Sequence, residues 1–377
     1  MMQAIAEAIS RNRIWYCLEC GRCSAACPIT RWEKRNHTGP RTFVENAIDG
    51  DLQRMLQDHL FWSCLTCRRC SQLCPSGVHF PEFMQAVRSV AREQGFCGEC
   101  THGGTIQAWG RMMTDPTLKQ ERLGWLGGDL KTSRDSDTLY FSGCLPQYDT
   151  LFMDLKVEGT AAAGAALRIL NHLGIQPQVL ADERCCGHDP LWQGDFETFR
   201  GLGMLNMEMM KASGAKRIVT NCPECARTLK VDYPQWFGPH GMQVLHIAEL
   251  LAQSGLTFTA GGRRVTYQDP CRLGRHLGVY DAPRRVLAAA GFELVEMERT
   301  RAAAQCCGTT CWTNCGQVSR NIQVERLQEA RATGAELLIT ACPKCQIHFK
   351  CAQRDPTLGE GIGIEIRDLA TLVAERL

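Results

Sequence analysis

The chain writes the same short turn twice: CPECARTLK begins at Cys222 and CPKCQIHFK at Cys342. Each follows a short apolar run, RIVTN or LLITA, that is itself preceded by SGA or TGA. The matching extends outward, so the turn belongs to an internal duplication. Copy one runs from TLYFSGC to VLHIAELLAQSG, and copy two from RRVTYQDPC to IEIRDLATLVAERL. In order, each holds a strand ending at a cysteine, a helix, a Cys-Cys-Gly, and a long amphipathic helix stopped by glycine. A β-rich strand, the Cys-Pro-x-Cys turn, and a last strand and helix follow. Alternating strands and helices predict two α/β units with parallel sheets, related by a pseudo-twofold axis. In such sheets the working residues lie where strands end and helices begin. RIVT and LLIT deliver their turns to that edge, as LYFSG and VTYQD deliver Cys144 and Cys271. Pro223 and Pro343 suit a first helical position, where a missing N–H costs nothing, and the amides at those helix starts favour negative charge on sulfur.

Cysteine dominates the rest of the chain, with 23 among 377 residues. An odd total, tight spacings and no secretion signal in MMQAIAEAISRNRIWYC argue against a disulfide framework and for metal ligands in a reducing cytoplasm. The formal net charge of +2 announces no nucleic-acid surface. No run reaches the roughly 18 apolar residues of a membrane span, so any membrane association falls to another subunit.

Two dense runs mark the first 95 residues. CLECGRCSAACP supplies Cys17, Cys20, Cys23 and Cys27 before Pro28; CLTCRRCSQLCP supplies Cys64, Cys67, Cys70 and Cys74 before Pro75. This is the two-cluster ferredoxin pattern, in which the fourth cysteine serves the other cluster. One 4Fe–4S cubane then takes Cys17, Cys20, Cys23 and Cys74, and the second takes Cys64, Cys67, Cys70 and Cys27. The competing reading, two four-cysteine zinc sites, fits less well because zinc loops pair two ligands per knuckle. Two cubanes in series make an electron relay. Between the runs, TRWEKRNHTGPRTFVENAIDGDLQRML has apolar positions at helical spacing, broken at Gly39-Pro40.

Copy one offers Cys144, Cys185, Cys186, Cys222 and Cys225; copy two offers Cys271, Cys306, Cys307, Cys342 and Cys345. Five sulfurs exceed what a tetrahedral zinc or a cubane requires, which suggests an extended multi-iron site in each copy. Gly187 and Gly308, after the cysteine pairs, allow close backbone approach there.

These motifs resemble the CCG-domain proteins, and most closely the catalytic part of heterodisulfide reductase. The first 95 residues resemble that enzyme's small two-cubane subunit, so the chain looks like a fusion of the two. The resemblance implies an α+β multidomain fold: a helical two-cubane ferredoxin domain (1–95), a Gly-rich linker (96–136) and two CCG repeats (137–258, 259–377). It implies two noncubane 4Fe–4S clusters held by the ten repeat cysteines in a cleft between the copies. Many relatives lose some of these cysteines; this sequence keeps them all, with motif spacings that depart by about one residue, as loops permit. The implied activity is two-electron reduction of a disulfide or thiol-type small molecule. The implied partners are a flavin-containing electron-donor or electron-bifurcating subunit, or a membrane cytochrome subunit, and the implied place of work is the cytoplasm, peripheral to a membrane through a partner. No flavin or nucleotide fingerprint is visible, since GTAAAGAAL lacks G-x-G-x-x-G.

Other residues carry two readings each. His188 either donates a proton to a departing thiolate or only hydrogen-bonds backbone. Cys97 with Cys100, and Cys311 with Cys315, are either extra ligands or ordinary thiols; Cys351 reads as structural. Trp15 and Trp62, just before the cubane runs, read as cluster shields, and GMLNMEMM as core packing. The competing function is an electron-transfer subunit that links a flavoprotein to a reductase acting on an acyl-CoA or a quinone.

Overall fold

The computed structural model describes all residues except 1, 34–38, 257, 259–261 and 359, so the helical reading over 34–38 lies outside the described residues. The chain divides into two units. The first comprises Met1–Arg111, Gly187–Phe199 and Gln305–Glu325; the second comprises Met112–Cys186, Arg200–Ala304 and Arg326–Leu377.

The first unit is helical. Its helices Met2–Arg11 and Phe80–Glu93 pack together, and Ile5, Ile9, Phe43, Phe61, Phe83, Met84 and Val87 fill the interior. Arg88 is buried there, donating to the carbonyls of Phe61, Trp62 and Cys64 at 2.9–3.0 Å. Its guanidinium thus satisfies carbonyls left open where helix His59–Ser63 ends, and fixes the start of the second cysteine run. Trp62 is buried as a shield would be, whereas Trp15 stands 58 % exposed.

Among the described residues, seven strands form two parallel sheets in the second unit. Copy one contributes β1 (Thr138–Tyr140), β2 (Arg217–Thr220) and β3 (Gln243–His246) in the order β1-β2-β3. Copy two contributes β4 (Arg264–Gln268), β5 (Glu293–Leu294), β6 (Leu337–Thr340) and β7 (Glu365–Asp368) in the order β5-β4-β6-β7. The partner of β5 in copy one is reduced to a single parallel bridge, Leu139 with Gln178. The two long helices form as their apolar periodicity requires, at Phe196–Ala212 and Gln317–Ala332, with Gly214 and Gly334 left-handed just beyond each end. Within the Met-rich stretch Met207 and Met210 are buried, but Met204 is exposed.

The copies exchange helices. Gly159–His172 of copy one packs on Leu369–Ala374 of copy two, and Ile247–Gln253 of copy one packs on Asp281–Ala289 of copy two. Ala163, Ala166, Leu170, Leu369 and Val373 share one core with Ile247, Leu251, Val286 and Leu287. This reciprocity is what a pseudo-twofold duplication produces. Polar contacts reinforce it: the Glu158 carboxylate of copy one accepts from Gln346 Nε2 at 2.6 Å, Arg367 Nε at 2.9 Å and Asp368 N at 2.7 Å.

Asp368 caps the last helix, accepting from Ala370 N at 2.8 Å. Burial, with the Glu158 charge beside it, pushes its carboxyl up to about 7. A folded value above the unfolded one, about 3.9, gives stability that is present below the unfolded value and lost as pH rises toward 7. Asp368→Asn should therefore gain stability relative to the native chain between pH 4 and 7 in thermal melts. A stability difference independent of pH would contradict this.

Candidate iron–sulfur centres

Both cubane runs fold into the same loop. Glu19 and Gly21 in the first run, and Thr66 and Arg68 at the matching places in the second, have positive φ. Glycine tolerates this freely; Arg68 is held in place by Glu82, with Nε–Oε1 at 3.0 Å and Nη2–Oε1 at 2.6 Å. Each loop leads into a short helix, Arg22–Ala25 or Arg69–Leu73, and these two helices pack together. Cys27 caps helix Pro28–Trp32, with Pro28 in its first turn. Backbone N–H groups point at sulfur: Glu19 N to Cys17 Sγ and Val78 N to Cys74 Sγ, both 3.4 Å.

The thiols sort by their neighbours. Burial raises Cys17, with Cys74 and Cys20 adding to it, and burial raises Cys23, with Cys17 adding. Cys27 is pushed up to about 12 by burial, with Cys64 and Cys67 adding, and Cys70 lies well above its usual range for the same reasons. Cys74 of the second run thus acts on Cys17 of the first, Cys64 and Cys67 act on Cys27, and Cys23 also acts on Cys70. Thiols crowded in this way stay protonated unless a cation compensates them, and metal ligation releases those protons.

In copy one all five sulfurs form a contact chain. Cys144 Sγ lies 3.5 Å from Cys185 Sγ; Cys185 contacts Cys186, Cys186 contacts Cys225, and Cys225 contacts Cys222. Cys144 immediately precedes helix Leu145–Leu151 and Cys222 immediately precedes Pro223–Arg227, with proline in the first turn of each. Gly143, at φ +60°, makes room for sulfur: a Cβ there would stand 2.8 Å from Cys225 Sγ. Sequence reading did not single it out. Nor did it find Arg122, inside the expected linker. Arg122 is buried, donating to the Glu183 and Gly143 carbonyls, to Ser142 Oγ at 3.0 Å and to Glu183 Oε1 at 3.1 Å. Glu183 Oε1 also accepts from Gly143 N at 2.7 Å. This knot ties the loop carrying Cys144 to the one carrying Cys185. Asn206 secures the second loop, donating to Cys185 O at 3.0 Å.

In copy two, Cys342 immediately precedes helix Pro343–Arg354 and Cys345 sits in its first turn, their side chains hydrogen-bonded. Cys271 follows β4, beside Asp269, which Arg284 grips in a two-pronged ion pair at 2.8 Å. Cys306 and Cys307 are buried in the first unit. Gly187 and Gly308 are both left-handed, and an added Cβ would meet Phe199 Cδ2 at 2.7 Å and Ser319 O at 2.8 Å respectively. The close approach they permit is to the following helix. His188 is buried with Nδ1 3.0 Å from Asp189 Oδ1, so a carboxylate is a partner of its ring.

The two Cys-Pro-x-Cys turns are joined directly. The variable residue is Glu224 in one and Lys344 in the other, and Lys344 Nζ lies 2.7 Å from Glu224 Oε2 with both side chains largely buried. His246 spans the residues just before the turns, its Nε2 2.8 Å from Asn221 O and 3.2 Å from Ala341 O. Its Nδ1 accepts from Ala248 N, so Nε2 carries the proton and the ring is neutral. Cys222 lies near enough to Cys342 for its charge to raise that thiol further, after burial.

Five sulfurs in each copy exceed the four that a tetrahedral zinc takes.

Parallel sheets that present duplicated cysteine turns, with a two-loop cysteine domain ahead of them, define an iron–sulfur protein of the CCG class. The cysteine-rich CCG domain family matches residues 138–230 and 265–350, and the 4Fe-4S dicluster domain family matches residues 13–78. The D polypeptide of dihydromethanophenazine:CoB–CoM heterodisulfide reductase from Methanosarcina mazei is 34 % identical over 70 % of this chain and 65 % of its own length. The same polypeptide from Methanosarcina barkeri is 30 % identical over 80 % of this chain and 74 % of its own. The chain belongs to this family of heterodisulfide reductase D-type iron–sulfur oxidoreductase subunits. It thus spans about two thirds to three quarters of the length of these relatives. EtfAB:quinone oxidoreductase of Syntrophomonas wolfei is 31 % identical over 56 % of this chain and 30 % of its own length. No helix among the described residues is long and apolar enough to cross a membrane.

Proposed function

We propose that the protein is the disulfide-reducing subunit of a larger complex. Cys17, Cys20, Cys23 and Cys74 would hold one cubane, and Cys64, Cys67, Cys70 and Cys27 the other. Cys144, Cys185, Cys186, Cys222 and Cys225 would hold one noncubane cluster; Cys271, Cys306, Cys307, Cys342 and Cys345 are assigned to the second by the repeat. The observation that carries this reading is the Glu224–Lys344 contact, because it joins the two cluster-bearing turns. A disulfide has two equivalent ends, and its reduction consumes two electrons and two protons to give two thiols.

When bound, the clusters would supply those electrons one at a time and offer iron to each sulfur. The chain's own residues supply position and charge. Lys344 and Glu224 hold the turns in register, and His246 anchors the carbonyls behind them. The Arg122–Glu183 knot fixes the loops of Cys144 and Cys185. Helix N-termini at Cys222 and Cys342 favour the negative charge that reduction brings. His188 is the proposed proton donor, and Asp189 would hold a proton on its Nδ1.

The electron donor is proposed to be a flavin-containing subunit or a membrane cytochrome subunit, with this chain cytoplasmic and peripheral through that partner. Donor docking would use the exposed Trp15, Tyr16 and Leu18 beside the exposed Cys20, where Arg13 and Arg22 are also exposed and suit an acidic surface. The second reading, relay to a quinone or acyl-CoA reductase, draws on the quinone-oxidoreductase relative.

The test is oxidation of a reduced viologen by the anaerobically prepared full chain, over a panel of small disulfides. Two viologens consumed per disulfide are expected. Cys20→Ala should slow electron input while the CCG signals persist in the electron paramagnetic resonance spectrum. Turnover with a quinone and with no disulfide would replace this reading by the relay.

A further inference from the structure

Four cysteines outside the eighteen assigned ligands come from two distant parts of the chain and meet in the first unit. Cys97 and Cys100 lie in FCGECTHGG, which the sequence reads as linker; Cys311 and Cys315 lie in CCGTTCWTNCG. The two segments are bonded to each other. Cys100 and Thr313 form an antiparallel bridge. Asn314 N donates to Glu99 O at 2.8 Å, and Thr101 N donates to Trp312 O at 2.9 Å. Glu99 N donates to Asn314 Oδ1 at 2.9 Å, and Thr101 Oγ1 to Trp312 O at 3.0 Å. Gly98 is required for the approach, since a Cβ there would stand 3.2 Å from Asn314 Oδ1 and 3.2 Å from Trp62 Cβ.

The second segment is also held in an unusual shape. Cys311, Trp312 and Asn314 all have positive φ, at +55°, +57° and +51°. Side chains rarely accept this region, and it persists only where surroundings enforce it. Gln107 Nε2 donates to Trp312 O at 3.1 Å, and Gln193 Nε2 donates to Cys311 O. Those bonds do not require cysteine at 311 or 315, nor at 97 or 100. None of the four cysteines forms a disulfide. Copy one has no cysteines in the matching stretch HDPLWQGD, so the duplication does not explain them either.

We propose that Cys97, Cys100, Cys311 and Cys315 bind one further thiolate metal centre, beyond those of the two domain types. Two ligands from each of two short runs, at x2 and x3 spacing, is how thiolate sites are commonly assembled. Zinc and a 4Fe–4S cluster share this chemistry. Loading with iron and sulfide and, separately, with zinc distinguishes the two. Binding deprotonates the thiols and changes no oxidation state of the chain.

The test compares metal content and absorbance of the native full chain with Cys97→Ser/Cys100→Ser, both loaded anaerobically with iron and sulfide and, separately, purified with zinc in the medium. Both substituted side chains are exposed, so the fold is expected to survive. The variant should lose about four irons per chain if the centre is a cluster, or about one zinc if it is mononuclear. Cys311→Ser/Cys315→Ser should lose the same increment, and the fourfold variant no more. Equal metal in native chain and variant overturns the proposal, as does loss of the cubane or CCG signals with the increment. The readout is a difference between chains, so it stands whether or not the protein reduces disulfides.

Discussion

Serine in place of Cys225 or Cys345 alone is expected to abolish disulfide reduction almost completely, and the double variant to be scarcely worse. The two residues sit in turns that touch through Glu224 and Lys344, and in the proposed function each turn forms one wall of a shared site. Residues that act as a unit lose nearly everything at the first deletion, and later deletions add little. Reduction of the cubanes by dithionite should survive in all three variants, because their ligands belong to a unit with its own core. Activities that multiply, each single variant keeping a share and the double keeping the product, would mean that the two sites work independently. The measurement is the viologen-linked rate alongside the cubane signal.

Lys344→Met is expected to be as severe, by another route. It leaves Glu224 buried without its cation, and breaking such a pair from one side costs about 3–5 kcal/mol. Replacing both partners by methionine should restore most of the stability, since two apolar groups of similar length leave no uncompensated charge. Activity should return less fully than stability, because methionine packs without fixing a distance. Reversing the pair with Glu224→Lys and Lys344→Glu should rescue stability and register together. Thermal melts of the three variants beside the native chain, with their viologen-linked rates, decide this. A Lys344→Met chain as stable as the native one would mean that the contact contributes nothing.

Much of this was legible before any coordinates. Spacing sorted the cysteines into expected ligand sets because a cubane loop has few ways to present three sulfurs, and the strand-to-turn rule put Cys144, Cys222, Cys271 and Cys342 at sheet edges, where they lie. Pro223 and Pro343 marked helix starts, because within a helix the ring fits only the first turn. The supports were not legible. Arg122, Glu183 and Arg88 act through contacts with residues far away in the chain, and a charged residue in a polar stretch reads as solvated. Residues 96–136 lack periodicity, yet they contain helix Thr105–Met112 and the segment bonded to Trp312 and Asn314. Glu224 and Lys344 did leave a trace, as opposite charges at equivalent places in a repeat. Each alone looks like an ordinary helix-start residue.

That acid–base pair also bears on how the two halves can assemble. If both copies still carried glutamate at this place, or both carried lysine, pairing them would bury like charges against each other. As they stand, copy one meeting a second copy one would set Glu224 against Glu224, and copy two would set Lys344 against Lys344. Only the mixed pairing neutralises the contact, so each half has become a poor partner for itself. Produced as separate chains, the halves should favour heterodimers over either homodimer, and a duplication that began with identical parts can no longer be run with one part alone.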